Sequence, residues 1–441
     1  MARPDDSGLL RHGALMVVGT FAGAVCNAGF HMVAGRLLPE TAYGALVAML
    51  GIILAFSQPA LALQNTLAHR IALLRRSGNA ASVPACFRRW LPWPVFLLIP
   101  LVPAAAWLFR APLGAFWHVD PALPVLALAL LVPTLGMSLF SGLWQGMQAF
   151  AWLAFAPQAW GIVRLALGTA LMLLGLRTAA APLLAQGAGV LLVLALGFLY
   201  LSRLGARAAR PPIPVTASTA SPVPVPPAPA PGRASSLRYL LFSCLSLIGY
   251  GLLMNFDTAL AKHLFPADTA GLFAKAATIA RTAVFLPVPI AAALFPKVAT
   301  DGTLPPDTAR LLRRALLYAG LLVTAAAAAC LLFPRLPWYI LYGPCPADAA
   351  PLARSLVRTL TLAMSPLALV YLLLNFEMAQ NRFRRPLLLL PCAALYLLLS
   401  FLLRPRLGPH AIPASLLAVS LLALLLLSPR TRSPAPGKRF Q

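Results

Sequence analysis

The chain has 441 residues, of which 60% are hydrophobic and only 10% charged, with a mean hydropathy of +0.82. A water-soluble globular chain carries roughly 25% charged residues, so this composition excludes an ordinary soluble protein. The formal net charge of +25 has the size of a nucleic-acid-binding signature, but the placement of the basic residues argues against that class and no nucleic-acid partner is expected.

Apolar residues come in blocks long enough to cross a hydrocarbon core ~30 Å thick at 1.5 Å per residue. In chain order they are 13–35, 43–67, 91–109, 121–143, 151–176, 182–202, 239–261, 271–296, 311–333, 352–378, 386–403 and 410–428. Lipid offers no partner for a free backbone amide, so these blocks are predicted to be helices. The first lies behind Arg3 and Arg11 but is too long for a signal-peptide core, and is read as an uncleaved span. The third carries Pro92, Pro94, Pro100 and Pro103 and has the weakest helical signal. With the N-terminus in the cytoplasm, 23 of the 35 basic residues fall on cytoplasmic ends and loops and nine on the opposite face. The positive-inside rule then predicts a multi-pass protein with both termini cytoplasmic.

Between blocks six and seven, PPIPVTASTASPVPVPPAPAP (211–231) holds nine prolines and no charge, as an extended spacer does. It divides the chain into an N-terminal six-helix bundle (1–203), a Pro-rich cytoplasmic linker (204–237), a C-terminal six-helix bundle (238–429) and a basic cytoplasmic tail (430–441). The halves share a pattern where their first spans end. GRLLPETAYGAL around Pro39 and Gly44 corresponds to KHLFPADTAGLF around Pro266 and Gly271, at a constant offset of 227. With an even number of spans per half, the repeats enter the membrane in the same direction. They are then related by a pseudo-two-fold axis along the membrane normal, with a cavity between the bundles. The expected fold is an all-α polytopic membrane protein of about twelve transmembrane helices.

Of ten acidic residues, only Asp257 and Glu377 fall within the blocks. Ionised groups there are costly and face a polar interior. At 100° per residue, Ser243, Ser246, Tyr250 and Asp257 form one polar stripe on span seven, while Asn255 points elsewhere. Two readings of the stripe stand, a hydrogen-bond seam between helices and a cation or proton site at Asp257. Glu377, with Asn381 and Arg384 following, reads as part of an interfacial ion pair. Arg164 lies mid-span, too deep to snorkel, and implies a polar cavity. Lys275 and Arg281 belong to span eight, ahead of Pro287 and Pro289, which are expected to kink it. Lys275 reads as an interface anchor or a cavity group. His31 and Arg36, near the end of span one, carry the same two readings. The excess of positive groups suits an anion-binding chamber, because guanidinium pairs well with phosphate and carboxylate. The six cysteines are scattered without CxxC spacing, so no metal site is expected, and no cofactor motif is present.

The segment NFDTALAKHLFPADTAGLFAKAATIARTAVFLPVPIAAALFPKVA (255–299) resembles helices seven and eight of polysaccharide biosynthesis proteins. These are oligosaccharide flippases of the superfamily that also holds multidrug and toxin extrusion transporters. AGRLLPETAYGAL with LAFSQPALALQNTLAHRIA, SGLWQGMQAFAWLAFAPQAWGIVRLALG, and the stretch from Leu341 into NFEMAQNRFRRP resemble the same family. The resemblance implies two bundles rocking around a central cavity in the bacterial inner membrane. It implies transport of a polyprenyl-pyrophosphate-linked oligosaccharide for surface polysaccharide synthesis. Arg36, Arg164, Lys262, Lys275, Arg281 and Asn255 would hold cargo, and Asp257 would couple transport to a proton or sodium ion. Membrane lipids and polysaccharide-assembly proteins are the implied partners.

Two other functions compete. A cation-coupled multidrug exporter of the same superfamily shares the topology but calls for an acidic cavity. A membrane-embedded glycosyltransferase or polymerase needs a catalytic base or metal near a sizeable external loop. The external loops here are short and carry no HEXXH or paired-carboxylate spacing, and no Walker A sequence is present, so the chain is not expected to be an enzyme.

Overall fold

The computed structural model describes residues 6–77, 79–90, 93–208, 233–285, 308–380 and 382–428. The central part of the Pro-rich linker, the basic tail, and Pro287 and Pro289 lie outside these residues. Among the described residues all regular structure is helical. The N-terminal half comprises α1 (Asp6–Leu37), α2 (Glu40–Ser57), α3 (Ala60–Arg76), α4 (Val83–Trp90), α5 (Trp93–Leu108), α6 (Arg110–Trp117), α7 (Ala122–Gly146), α8 (Phe150–Phe155), α9 (Ala159–Leu173) and α10 (Ala180–Ala208). The C-terminal half comprises α11 (Arg233–Asn255), α12 (Asp257–Leu264), α13 (Ala267–Phe285), α14 (Thr308–Leu332), α15 (Arg335–Tyr342), α16 (Ala350–Ala379), α17 (Leu389–Leu407) and α18 (Ala411–Leu427).

The apolar blocks of the sequence fall mainly on helix, the third (without Pro92 and its neighbour, which lie outside the described residues) and the eighth as far as they are described. Among the described residues seven stretches suffice by length and composition to cross a membrane, or eight with the bent α11–α12 pair. One of the seven, Pro386–Leu427, folds back into α17 and α18, which pack against each other. Pro100 and Pro103 are accommodated inside α5, so the weakest block is helical too. Large apolar side chains such as Phe21, Leu191, Leu321 and Leu425 are exposed. Repeated spans with an apolar exterior make this a multi-pass membrane protein.

The connections define two faces. At the terminal face α1 begins and α18 ends, and Arg385 reaches the Ser428 carbonyl at 3.3 Å. At the distal face α1 turns into α2 and α12 into α13. The main seam between the halves is α2 against α11, α12 and α13. Near its distal end, the repeat-equivalent Gly44 and Gly271 meet each other. A Cβ on Gly44 would lie 3.0 Å from the Cα of Gly271, and one on Gly271 would lie 2.3 Å from the Glu40 carbonyl oxygen. Equivalent residues touch across a two-fold axis only where the axis passes between them. The 227-residue offset thus places the pseudo-axis here, and glycine at both positions lets the two backbones approach this closely.

The offset also superposes the limits of α1 on those of α11 and α12 together, with one difference. The first helix is continuous, whereas α11 and α12 are bent by 53° at Phe256. Of the polar stripe expected on span seven, Ser243, Ser246, Tyr250 and Asp257 are all buried, and the bend puts Asp257 on the next helix, α12.

Candidate functional site

The break is where α2 crosses. Gly51 brings α2 so close that a Cβ there would lie 2.5 Å from the Asn255 carbonyl oxygen, and the Thr258 hydroxyl donates to Val47 O at 3.3 Å. A bent helix frees backbone groups that lipid cannot satisfy. Arg281 Nε of α13 takes up one of them, donating to Met254 O at 3.4 Å, while the Asn255 side-chain amide donates back within α11 to Gly251 O at 3.4 Å. The same guanidinium donates through Nη2 to Asp257 Oδ1 in an ion pair. Asp257 is fully buried and Arg281 nearly so. Among the described residues the second carboxylate oxygen, Oδ2, has no hydrogen-bond partner, and neither has the hydroxyl of buried Tyr396, which is within electrostatic reach of the pair.

In the N-terminal half a second buried guanidinium has a different setting. Arg164 of α9 is 3% exposed. It donates to Asn27 Oδ1 and lies 4.0 Å from the ring centre of Phe30 and 4.6 Å from that of Trp160. Its Nε is buried without a hydrogen-bond partner among the described residues. Among the described residues it makes no ion pair. Aromatic faces attract a cation but leave its N–H groups unspent. His31 lies within electrostatic reach of both Arg164 and Arg281, one from each half.

Towards the distal face lies a polar seal between the halves. The Tyr43 hydroxyl meets His31 Nδ1 at 3.2 Å, Thr278 Oγ1 at 3.3 Å and the Tyr342 hydroxyl at 3.1 Å. Lys275 pairs with Glu40 at 2.6 Å beneath the rings of Tyr43 and Tyr342. At the rim, Arg36 donates to Ile340 O at 2.7 Å and Leu341 O at 3.1 Å, covering carbonyls at the C-terminus of α15. A further contact between halves stacks Phe116 of α6 on His263 of α12 at 3.9 Å, with His263 Nδ1 donating to Phe116 O at 2.6 Å.

The residues singled out by sequence therefore separate into groups. Arg281, Asp257 and Asn255 meet at the helix break, and Arg164 is buried in the other half against Asn27, Phe30 and Trp160. Lys275 belongs to the seal and is 6% exposed, so it does not snorkel. Arg36 is exposed on the rim, with its guanidinium engaged by carbonyls. Lys262 is buried on α12, where Asp268 is the charge it feels, away from the two central guanidinia. Glu377 pairs with Arg385 at 3.5 Å in place of the expected Arg384, because the helix ends at Ala379 and the chain turns. Among the described residues no group of three or more potential metal ligands occurs. Sequence reasoning missed Asn27, Phe30, Trp160, Tyr43, Tyr342, Tyr396 and the pairing role of Glu40. Asn27, Phe30, Tyr43, Tyr342 and Glu40 act through contacts between different helices, which one-dimensional periodicity does not record, whereas Trp160 lies one turn before Arg164 on α9 and was open to it.

No protein-family model matches the chain. No curated protein matches it by sequence. Solved structures do match by shape. An inward-facing multidrug resistance MATE-family transporter of the MOP superfamily is 15% identical, with a TM-score of 0.66 over 91% of this chain and 93% of that one. The lipid II flippase MurJ in an inward closed conformation is 12% identical, with a TM-score of 0.66 over 94% and 86%. A MOP-superfamily transporter from Pyrococcus furiosus, described as having a binding pocket of reverse polarity, is 13% identical, with a TM-score of 0.64 over 95% and 93%. At such identities the likeness establishes the fold. The chain has the architecture of the MOP superfamily, with two six-helix bundles facing each other, as its resemblance to oligosaccharide flippases led one to expect.

Proposed function

We propose that this protein is a transporter that flips a polyprenyl-pyrophosphate-linked oligosaccharide across the inner membrane by alternating access. The observation that carries the reading is Arg164, a buried guanidinium with no carboxylate partner among the described residues. A permanently charged group is costly to bury, and an anionic ligand provides what the protein does not. The phosphate groups of the cargo enter between Arg164 and Arg281 while the polyprenyl tail stays in the bilayer. With the distal face outside, as the basic residues predict, the sealed distal end corresponds to a state closed to the exterior.

Asp257 supplies the coupling in this reading. It neutralises Arg281, so a proton or sodium ion taken up by the carboxylate releases the guanidinium to the cargo. The unpartnered Oδ2 and the nearby Tyr396 hydroxyl offer oxygens to such an ion. Catalysis has no part in the scheme.

The MATE likeness and the buried carboxylate also favour a second reading, a cation-coupled exporter of small molecules. One experiment separates the two. In cells depleted of the protein, labelled lipid-linked sugar held on the cytoplasmic leaflet together with loss of surface polysaccharide supports the flippase. Unchanged lipid-linked sugar with new sensitivity to cationic drugs supports the exporter. Arg164→Ala and Arg281→Ala are each expected to abolish complementation, and full activity in both would refute the anion chamber. Asp257→Asn is expected to remove dependence on pH or sodium ion. Unchanged dependence would exclude the coupling role.

A further inference from the structure

The distal end of the C-terminal half carries a groove that the transport scheme leaves unused. It lies between α15 and the start of α16, encloses about 240 Å³, and is lined among others by Pro334, Arg335, Trp338, Tyr339, Cys345 and Arg354. The helix α15 joins α14 and α16, and each of these contains a stretch long and apolar enough to cross the membrane. It therefore lies where the hydrocarbon gives way to the headgroups. Leu336, Tyr339 and Ile340 on its outer side are 58%, 64% and 55% exposed, as side chains facing lipid are.

The charges in the groove suit a phosphate. Arg354 uses its Nε on Ala350 O at 3.0 Å, which orients the guanidinium and leaves its terminal nitrogens without a protein partner among the described residues. Arg335 is exposed at the other wall, and neither arginine is in an ion pair among those residues. Arg358, one turn further along α16, is held to Leu331 O at 2.9 Å and adds positive charge on the same side. The acidic groups within electrostatic reach of Cys345 are Glu40, which is paired with Lys275, and Asp348, in the loop that follows α15. Two guanidinia beside Trp338 and Tyr339, flanked by exposed Leu332 and Phe333, match a phosphodiester with acyl chains. Arginine pairs its N–H groups with phosphate oxygens, and Trp and Tyr favour the headgroup level.

We propose that the groove between α15 and α16 binds the phosphate of an anionic bilayer phospholipid such as phosphatidylglycerol. The other side of α15 gives this site a consequence. Tyr342 ends the same helix and bonds Tyr43 across the seal, Trp338 packs edge-on against Tyr342 at 5.5 Å, and Arg36 holds the last carbonyls. A lipid seated in the groove fixes the helix that closes the distal mouth.

Cys345 lines the groove and reports its occupancy. The full chain is reconstituted in phosphatidylcholine vesicles with and without phosphatidylglycerol, and alkylation at Cys345 by a maleimide is followed by mass spectrometry. Phosphatidylglycerol is expected to slow the reaction about fivefold or more, as occupancy of most sites requires. The protection is expected to vanish in the Arg335→Gln/Arg354→Gln double variant and to persist in part with lysine at both positions. Equal rates in the two kinds of vesicle overturn the proposal, as does full protection in the glutamine variant. Protection by inorganic phosphate in pure phosphatidylcholine overturns the lipid assignment in favour of a free-anion site. The wild-type contrast between vesicles stands even where a variant fails to fold, and none of these readouts depends on the cargo transported.

Discussion

The first span of each half occupies the same register, and each meets a buried arginine there in an opposite way. At the offset of 227 residues Phe30 is the counterpart of Asp257. In the N-terminal half α1 is one continuous helix, and the guanidinium of Arg164 lies over the Phe30 ring with no carboxylate partner among the described residues. In the C-terminal half the span breaks, and Arg281 pairs with Asp257 while taking up the freed Met254 carbonyl. In this state Arg281 is spent on the protein's own carboxylate and carbonyl, while Arg164 has no carboxylate partner among the described residues. Two similar bundles need not divide the work evenly.

The sharpest way to break this comparison is to delete each arginine in turn. Arg281→Ala strands a buried carboxylate and a backbone carbonyl, and removal of one member of a buried pair costs about 3–5 kcal/mol. Chemical denaturation in detergent is expected to show that loss, and a smaller combined loss in the Asp257→Ala/Arg281→Ala double variant. Arg164→Leu strands no acid, so its stability is expected to match or exceed the wild type while transport is lost. Equal destabilisation by the two arginine variants would erase the distinction.

Phe30→Asp sharpens it from the other side by giving Arg164 the partner that Arg281 already has. Cargo would then compete with an internal carboxylate, and a charge-assisted contact of about 1.5–3 kcal/mol corresponds to a loss of roughly ten- to a hundredfold in affinity. Equilibrium binding of a pyrophosphate-bearing lipid measures it.

The seal at the pseudo-axis offers smaller effects. Gly271→Ala sets a methyl 2.3 Å from the Glu40 backbone oxygen, and overpacking of this kind costs about 1–3 kcal/mol. Gly44→Ala, with its closest contacts at 3.0 Å, is expected to cost less. Spin-label distances across the distal face should widen in that order. Tyr43→Phe removes one hydroxyl shared by His31, Thr278 and Tyr342. Its expected effect is about 0.5–1.5 kcal/mol, read as a modest shift of the same distances. A shift in Tyr43→Phe larger than that in Gly271→Ala would mean that hydrogen bonding, and not close backbone packing, holds the mouth shut.

Much of the fold is legible in the chain because membrane insertion makes it so. Apolar length, helical continuity and the internal repeat are local or periodic properties, and each is enforced by the absence of water in the bilayer. The unusual side chains Arg164, Asp257 and Arg281 were legible for the same reason, since a charge in an apolar block stands out. The sequence by itself determined the helices, the two halves and the residues whose burial demands an explanation. Only the tertiary structure decided which charge answers which. Asp257 finds Arg281, Lys275 finds Glu40, and Arg164 finds aromatic rings, because α2 presses against α11–α13 while α9 packs on α1. Such pairings depend on how helices distant in the chain cross, and no periodicity along one helix contains that information.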